Sequence, residues 1–322
     1  MSQKFLYVFP GAHKTATKLL QSSLEINRPY LQEEGVSVVQ RQLFYRSGLL
    51  SKLKVANAIE ALEPEERTRL LDEMLGGPLT DKIVISIENM FGEIGPNPYR
   101  NAEKVLNNLK ALFPDYEIRV WFYTRRQDTF IESAFIQEYH TGRAIEPDAY
   151  TQKFIEHPID WVRPLNAISK AVGPKNVRVV PYESIENGVG RYVSAFYRTF
   201  SEQNPNEMFA RYKREQPFTN VSLSARGMEI LKATFDVVTD RKERRQIAQL
   251  LQSAFGVDKF PPYRLPEDRM ELLKKAHQEL NARLVRRVRF APGVAAYYLF
   301  EQVEQPEAEV GGQVPVTTAS TP

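Results

Sequence analysis

The stretch Lys4-Phe5-Leu6-Tyr7-Val8-Phe9-Pro10-Gly11-Ala12-His13-Lys14-Thr15-Ala16-Thr17-Lys18-Leu19-Leu20-Gln21 decides how the rest of the chain is understood. Its first part is a nearly unbroken apolar run, short enough for a strand and too apolar for one that faces water. Pro10-Gly11 ends the run, and hydroxyls and a lysine then lead into Leu19-Leu20, where a helical pattern begins. A strand that turns through glycine into a helix directs the helix's first N–H groups, and the positive end of its dipole, toward one point. Lys14 adds a full charge there. The expectation is a phosphate site at the end of the first strand.

Similar short runs rich in Val, Ile, Tyr and Phe recur at residues 36–39, 82–87, 117–124 and 176–181. Helical periodicity separates them: residues 67–75 put Leu70, Leu71 and Met74 on one face, and residues 102–113 do the same with Val105, Leu106, Leu109 and Leu112. Strands alternating with helices predict an α/β fold, a parallel β-sheet flanked by helices in a three-layer, doubly wound sandwich. Ligands then bind beyond the C-terminal ends of the strands, where residues 10–18 lie. After residue 182 the pattern is helical, with segments at 185–200, 222–238, 243–255 and 267–287 and a break at Pro261-Pro262 and Pro266. No linker separates this half. The expected organisation is one domain over residues 1–303, an α/β core to about residue 200 with a helical C-terminal portion, and a disordered tail over 304–322.

The 322 residues are 42% hydrophobic and 26% charged, with a net charge of +3. This suffices for a substantial core and is too mild for a nucleic-acid surface; the one dense basic run, residues 283–289, fits the polar side of a last helix. The chain has no cysteine, which removes disulfides and thiolate chemistry. Four histidines, at 13, 140, 157 and 277, lack metal-ligand spacing, so no metal site is expected. No apolar run reaches a membrane span, and a strand that starts by residue 4 leaves no room for a signal peptide; the expected location is cytoplasmic.

The first loop fails the nucleotide P-loop pattern at one place, because His13 stands where that motif has glycine before the lysine. A second anion feature follows strand 117–124, which ends in Arg125-Arg126, with Ser133 two turns into the next helix. A helix folding back over the strand end lets Arg125 and Ser133 converge on one phosphate. Taken alone, two arginines before a helix are a solvated surface.

Together these residues resemble the PAPS-dependent sulfotransferases (PAPS is 3′-phosphoadenosine 5′-phosphosulfate), of the bacterial or glycan-modifying type. Pro10, Lys14, Thr15, Ala16, Thr17, Leu20 and Gln21 fall on the family's phosphosulfate loop, Pro-x-x-x-Lys-Ser/Thr-Gly/Ala-Thr-Thr/Ser. Lys18 departs from it, standing where the family has a hydroxyl; it either compensates as a second cation or points at the acceptor. Residues 165–184 resemble the family's helix, glycine and strand ending in Tyr-Glu, and Asn220-Val221-Ser222 resembles an Asn-x-Ser helix entry. The resemblance runs over residues 4–226. It implies PAPS as co-substrate, PAP as product, no metal, and a cofactor site made of Lys14, Thr15, Ala16, Thr17, Lys18, Arg125, Ser133, Asn220 and Ser222.

Sulfuryl transfer needs position and charge more than covalent help. Lys14, at the loop apex, can follow charge onto the leaving oxygen. Glu88, just past strand 82–87, is the first candidate base, with burial expected to raise its pKa; its structural alternatives are capping a turn or pairing with Arg125. His13 is the second candidate base and equally a loop residue that bonds backbone. The acceptor is a small molecule or glycan offering a hydroxyl or amine, and no residue pattern narrows it. Two rivals remain: an NTP-dependent kinase of related fold, with Glu88 near Mg²⁺, and a non-catalytic PAPS or PAP binder in which Lys18 has spoiled the loop.

Overall fold

The computed structural model describes residues 3–11, 13–215 and 222–301. The expected tail at 304–322 and Asn220 lie outside the described residues. Five parallel strands form the central sheet: β1 (Lys4–Phe9), β2 (Val36–Val38), β3 (Lys82–Ser86), β4 (Tyr116–Thr124) and β5 (Val177–Pro181), in the order β2-β3-β1-β4-β5. β1, which leads into the glycine-lysine loop, is thus central, with β3 on one side and β4 on the other.

The helices of the first half are α1 (Thr17–Glu33), α2 (Arg41–Arg46), α3 (Leu49–Leu53), α4 (Pro64–Leu75), α5 (Ala102–Leu112), α6 (Gln127–His140), α7 (Pro147–Glu156), α8 (Val162–Val172), α9 (Val189–Tyr197) and α10 (Pro205–Glu215). Strand alternation sends residues to both faces of the sheet, and both faces are covered. Phe9 and Tyr123 meet rings of α9, Phe196 and Tyr192 respectively, and Trp121 packs on Tyr7 and Phe9 on the same face of the sheet. Phe122 points the other way, against Tyr99 and Trp161. This is the expected three-layer α/β sandwich.

The C-terminal helices are α11 (Ala225–Ala233), α12 (Arg241–Ala254), α13 (Glu267–Arg287) and α14 (Pro292–Tyr298), and α11 to α13 pack on α6 while α13 also packs on α7. His277, which showed no pattern in the sequence, ties this layer down: its buried ring accepts from the Ile159 N–H at 3.0 Å, and its other nitrogen is 2.7 Å from the Leu273 carbonyl. Two expected helices are shorter than the sequence pattern. The 185–200 segment divides at Gly188 (φ 112) into a 3-10 turn, Tyr182–Asn187, and α9. The 222–238 segment starts only at Ala225, because Ser224 caps it by accepting from the Gly227 N–H. No helix among the described residues is long and apolar enough to cross a membrane.

Candidate active site

The loop between β1 and α1 bends through three left-handed positions, Gly11 (φ 56), Lys14 (φ 64) and Ala16 (φ 57). Two of these are not glycine, a strained arrangement of the kind that collects at functional sites. Gly11 is required for space as well, since a Cβ there would lie 2.9 Å from the Thr17 side chain. Alternating handedness about Thr15 turns successive amides toward one concavity, a shape that suits an anion. The N-cap of α1 is Ala16, which offers no side-chain cap, and the helix's first turn carries no acidic residue. A helix start with no side-chain cap and no carboxylate in its first turn, beside two lysines, is electropositive.

Three braces hold the loop and a fourth ties the first helix to β3. Arg125 Nη1 donates to the Lys14 carbonyl at 2.7 Å, Tyr192 Oη donates to the Thr15 carbonyl at 3.1 Å, the His13 N–H donates to Tyr99 Oη at 3.0 Å, and Gln21 Nε2 donates to the Ser86 carbonyl at 2.8 Å. The Thr15 and Thr17 side chains are buried, and Lys18 is exposed. Arg125 leaves β4 with its plane over the Tyr182 ring, 4.7 Å from the centroid, and its Nε reaches Thr129 Oγ1 at 3.3 Å. Ser133 lies one turn beyond Thr129 on the same face of α6, without a hydrogen bond to Arg125 among the described residues. Arg126 plays a structural part instead, forking onto buried Asp128 at 2.8 and 2.9 Å and donating to the Tyr297 carbonyl, which pins α14 beside the end of β4.

Glu88 sits beyond the end of β3, with Oε1 3.4 Å from His13 Nδ1. The other ring nitrogen, Nε2, is 3.3 Å from the Gly92 carbonyl, which can only accept. His13 therefore faces acceptors at both nitrogens. Burial alone would raise the Glu88 pKa, but the hydrogen bond and charge of His13, with Lys14 and Arg41 behind it, outweigh burial and hold the carboxyl below its usual value. This corrects the expectation that Glu88 is lifted, and its partner is His13, not Arg125. Burial, reinforced by Arg125 and Lys18 and opposed by Glu88, pulls the Lys14 ammonium down to about 8.

Ser222 precedes α11 in an extended segment, where its carbonyl accepts from the Val257 N–H; the neighbouring Leu223 N–H donates to His140 Nε2 at 3.3 Å. His140 ends α6, and burial, with the charges of Lys14 and Lys18, pushes its pKa to about 4, so it sits neutral against that N–H and gains nothing from the helix dipole. Trp161 is core, its indole N–H donating to the Arg125 carbonyl at 2.8 Å. Tyr99, Thr129, Tyr192 and Arg41 shape the site and were missed by sequence reasoning, since none belongs to a motif, whereas Tyr182 is the tyrosine of the Tyr-Glu pair noted at the end of the fifth strand run.

No model of a known protein family matches the chain, and no curated protein matches its sequence. Among solved structures, a sulfotransferase from Alicyclobacillus acidocaldarius is similar with a TM-score of 0.39 and 12% identity, covering 67% of this chain and 96% of that one. A sulfotransferase domain from the curacin biosynthetic pathway is similar with a TM-score of 0.36 and 9% identity, covering 85% of this chain and 97% of that one.

Proposed function

We propose that the chain moves a sulfuryl group from PAPS to a hydroxyl or amine acceptor by in-line displacement. The observation that carries this reading is the joining of two anion-binding features, the Arg125 guanidinium at the end of β4 and the Lys14 loop at the end of β1. A nucleotide with phosphates at both the 3′ and 5′ positions of its ribose has a group for each. The fit is local as well: a helix start without cap or carboxylate, a desolvated lysine, and an arginine already held in place. Lys14, Thr15, Ala16, Thr17 and the first-turn amides of α1 would hold the 5′ end, and Arg125 with Ser133 the 3′-phosphate.

When bound, PAPS supplies a sulfuryl group whose sulfur bonds to the acceptor oxygen as the bond to the 5′-phosphate oxygen breaks. Lys14, at the loop apex, stabilises the charge that develops on that oxygen. Glu88 takes the acceptor proton. A carboxylate held below its usual range is a weak base toward a free alcohol, so this proton moves late, once bonding to sulfur has made it acidic. His13, with one ring nitrogen beside Glu88 and the other beside the Gly92 carbonyl, orients Glu88. The same commitment of Glu88 to His13 and Lys14 disfavours the kinase reading, in which that carboxylate holds Mg²⁺.

Calorimetric titration with PAP in EDTA, beside Mg-ATP, tests the proposal. Tight PAP binding that Lys14→Ala and Arg125→Ala both weaken is the expected result. Binding of Mg-ATP without PAP replaces this reading with the kinase.

A further inference from the structure

A groove of about 480 Å³ opens on the β2 and β3 side of the loop, lined by residues from α1, the end of β2, the start of α2 and Ser86 of β3. The strand order puts it opposite Arg125: β3 and β2 lie on one side of β1 and β4 on the other. Its size falls within the range of small-molecule sites, about 300–1,000 Å³. Gln21, Ser22, Gln40 and Gln42 give it amides and a hydroxyl, above apolar Leu24 and Val38. Lys18 and Arg41 also line it, both exposed, and neither has an ion-pair partner among the described residues.

Two carboxylates stand near these cations, and one of them, Glu25, lines the groove. Glu25 lies 3.8 Å from Arg28, and Glu88 faces His13 with Lys14 close by. Lys18 and Arg41 against Glu25 leave the groove's lining with one net positive charge, and Ser86, two residues before Glu88, lines it as well. Lys18 lies on the same face of α1 as Gln21, Ser22 and Glu25, one turn from the loop apex.

Resting on the sulfotransferase reading for the direction of transfer, we infer that this groove is the acceptor site and that it selects a polyhydroxylated acceptor bearing a negative charge, read by Lys18 and Arg41. Amides and hydroxyls pair with the acceptor's hydroxyls, and the two cations pair with its carboxylate or sulfate. Lys18 then serves the acceptor, which accounts for a cation where the family's loop has a hydroxyl.

The test is titration of the PAP-saturated protein with hyaluronan tetrasaccharide, which carries uronate carboxylates, beside neutral chitotetraose. The anionic sugar should bind about tenfold more tightly, with affinity falling as salt rises, and the Lys18→Gln/Arg41→Gln double variant should lose that preference. Both substituted residues are exposed, and thermal melts check that the variants fold. Equal binding of the two sugars, binding of neither, or a preference that survives the double substitution overturns the inference while PAP binding keeps the proposed function standing. Failure of the unsubstituted protein to bind PAP overturns the proposed function itself.

Discussion

Arg125 has two possible roles, bracing the Lys14 carbonyl and binding a 3′-phosphate, and replacing it by alanine separates them. Its Nη1 and Nε are engaged with Lys14 and Thr129, its plane rests on Tyr182, and its Nη2 makes no hydrogen bond among the described residues. Little freedom is left to lose on binding a phosphate. Charge-assisted hydrogen bonds contribute about 1.5–3 kcal/mol each, so loss of the guanidinium from a half-buried phosphate contact costs about 3 kcal/mol, or about 150-fold in Kd for PAP. AMP lacks the 3′-phosphate and feels only the lost brace, one charge-assisted hydrogen bond of about 1.5 kcal/mol, or about tenfold. Both nucleotides are titrated calorimetrically at pH 7, where Lys14, with its pKa at about 8, is charged in the unsubstituted protein. Removing Arg125 lifts a repulsion and lets that pKa rise, so the charge is retained in the variant. Equal losses for PAP and AMP would refute a 3′-phosphate role and leave Arg125 as a brace of the loop alone.

Three further outcomes concern the loop and its base, and a fourth its glycine. PAP affinity should fall by up to about tenfold per pH unit above pH 8, because binding favours a charged Lys14 that the free protein has begun to lose; Lys14→Ala should show a flat profile over the same range in a pH series of titrations. The same lowered pKa makes folding stability rise between pH 8 and 10.5, where the unfolded lysine still holds the proton that the folded one has released, and urea titrations on native and Lys14→Ala protein read that slope. Glu88→Gln should lower kcat by about 10²–10⁴-fold with PAP affinity within about twofold, and in the native protein any acid limb due to Glu88 should lie below pH 4.5; loss of PAP binding with little loss of kcat would make Glu88 a loop brace. Gly11→Ala should cost about 2 kcal/mol in urea unfolding, since it forces alanine to φ 56 and sets its Cβ 2.9 Å from Thr17.

The sheet was legible because strands buried on both faces must be apolar throughout. β1 has the bounds that its apolar run sets, and β2 to β5 differ from their runs by a residue at an end or two. Long helices with one apolar stripe were legible for the same reason, α13 over its full length. Short helices were not: α2 and α3 span a turn or so each and carry no periodicity, yet α2 brings Arg41 to the groove. Within the site, local chemistry was readable and long-range contact was not. Glycine, lysine and hydroxyls in one loop marked the tight left-handed turn into an uncapped helix start. That His13 meets Glu88 and Gly92, and so reverses the pKa shift expected from burial, depends on two loops brought together by the order of strands β1 and β3. His277 and Tyr99 follow the same rule, each made structural by partners remote in sequence.

The central claim is transfer of a sulfuryl group by this loop, and the most direct measurement is chromatographic conversion of PAPS to PAP, in EDTA, with a panel of neutral and anionic hydroxyl acceptors. The account predicts PAP formation that depends on acceptor, matches sulfated acceptor mole for mole, and is lost in Lys14→Ala. PAPS left unchanged with every acceptor, while Mg-ATP is consumed, would contradict it.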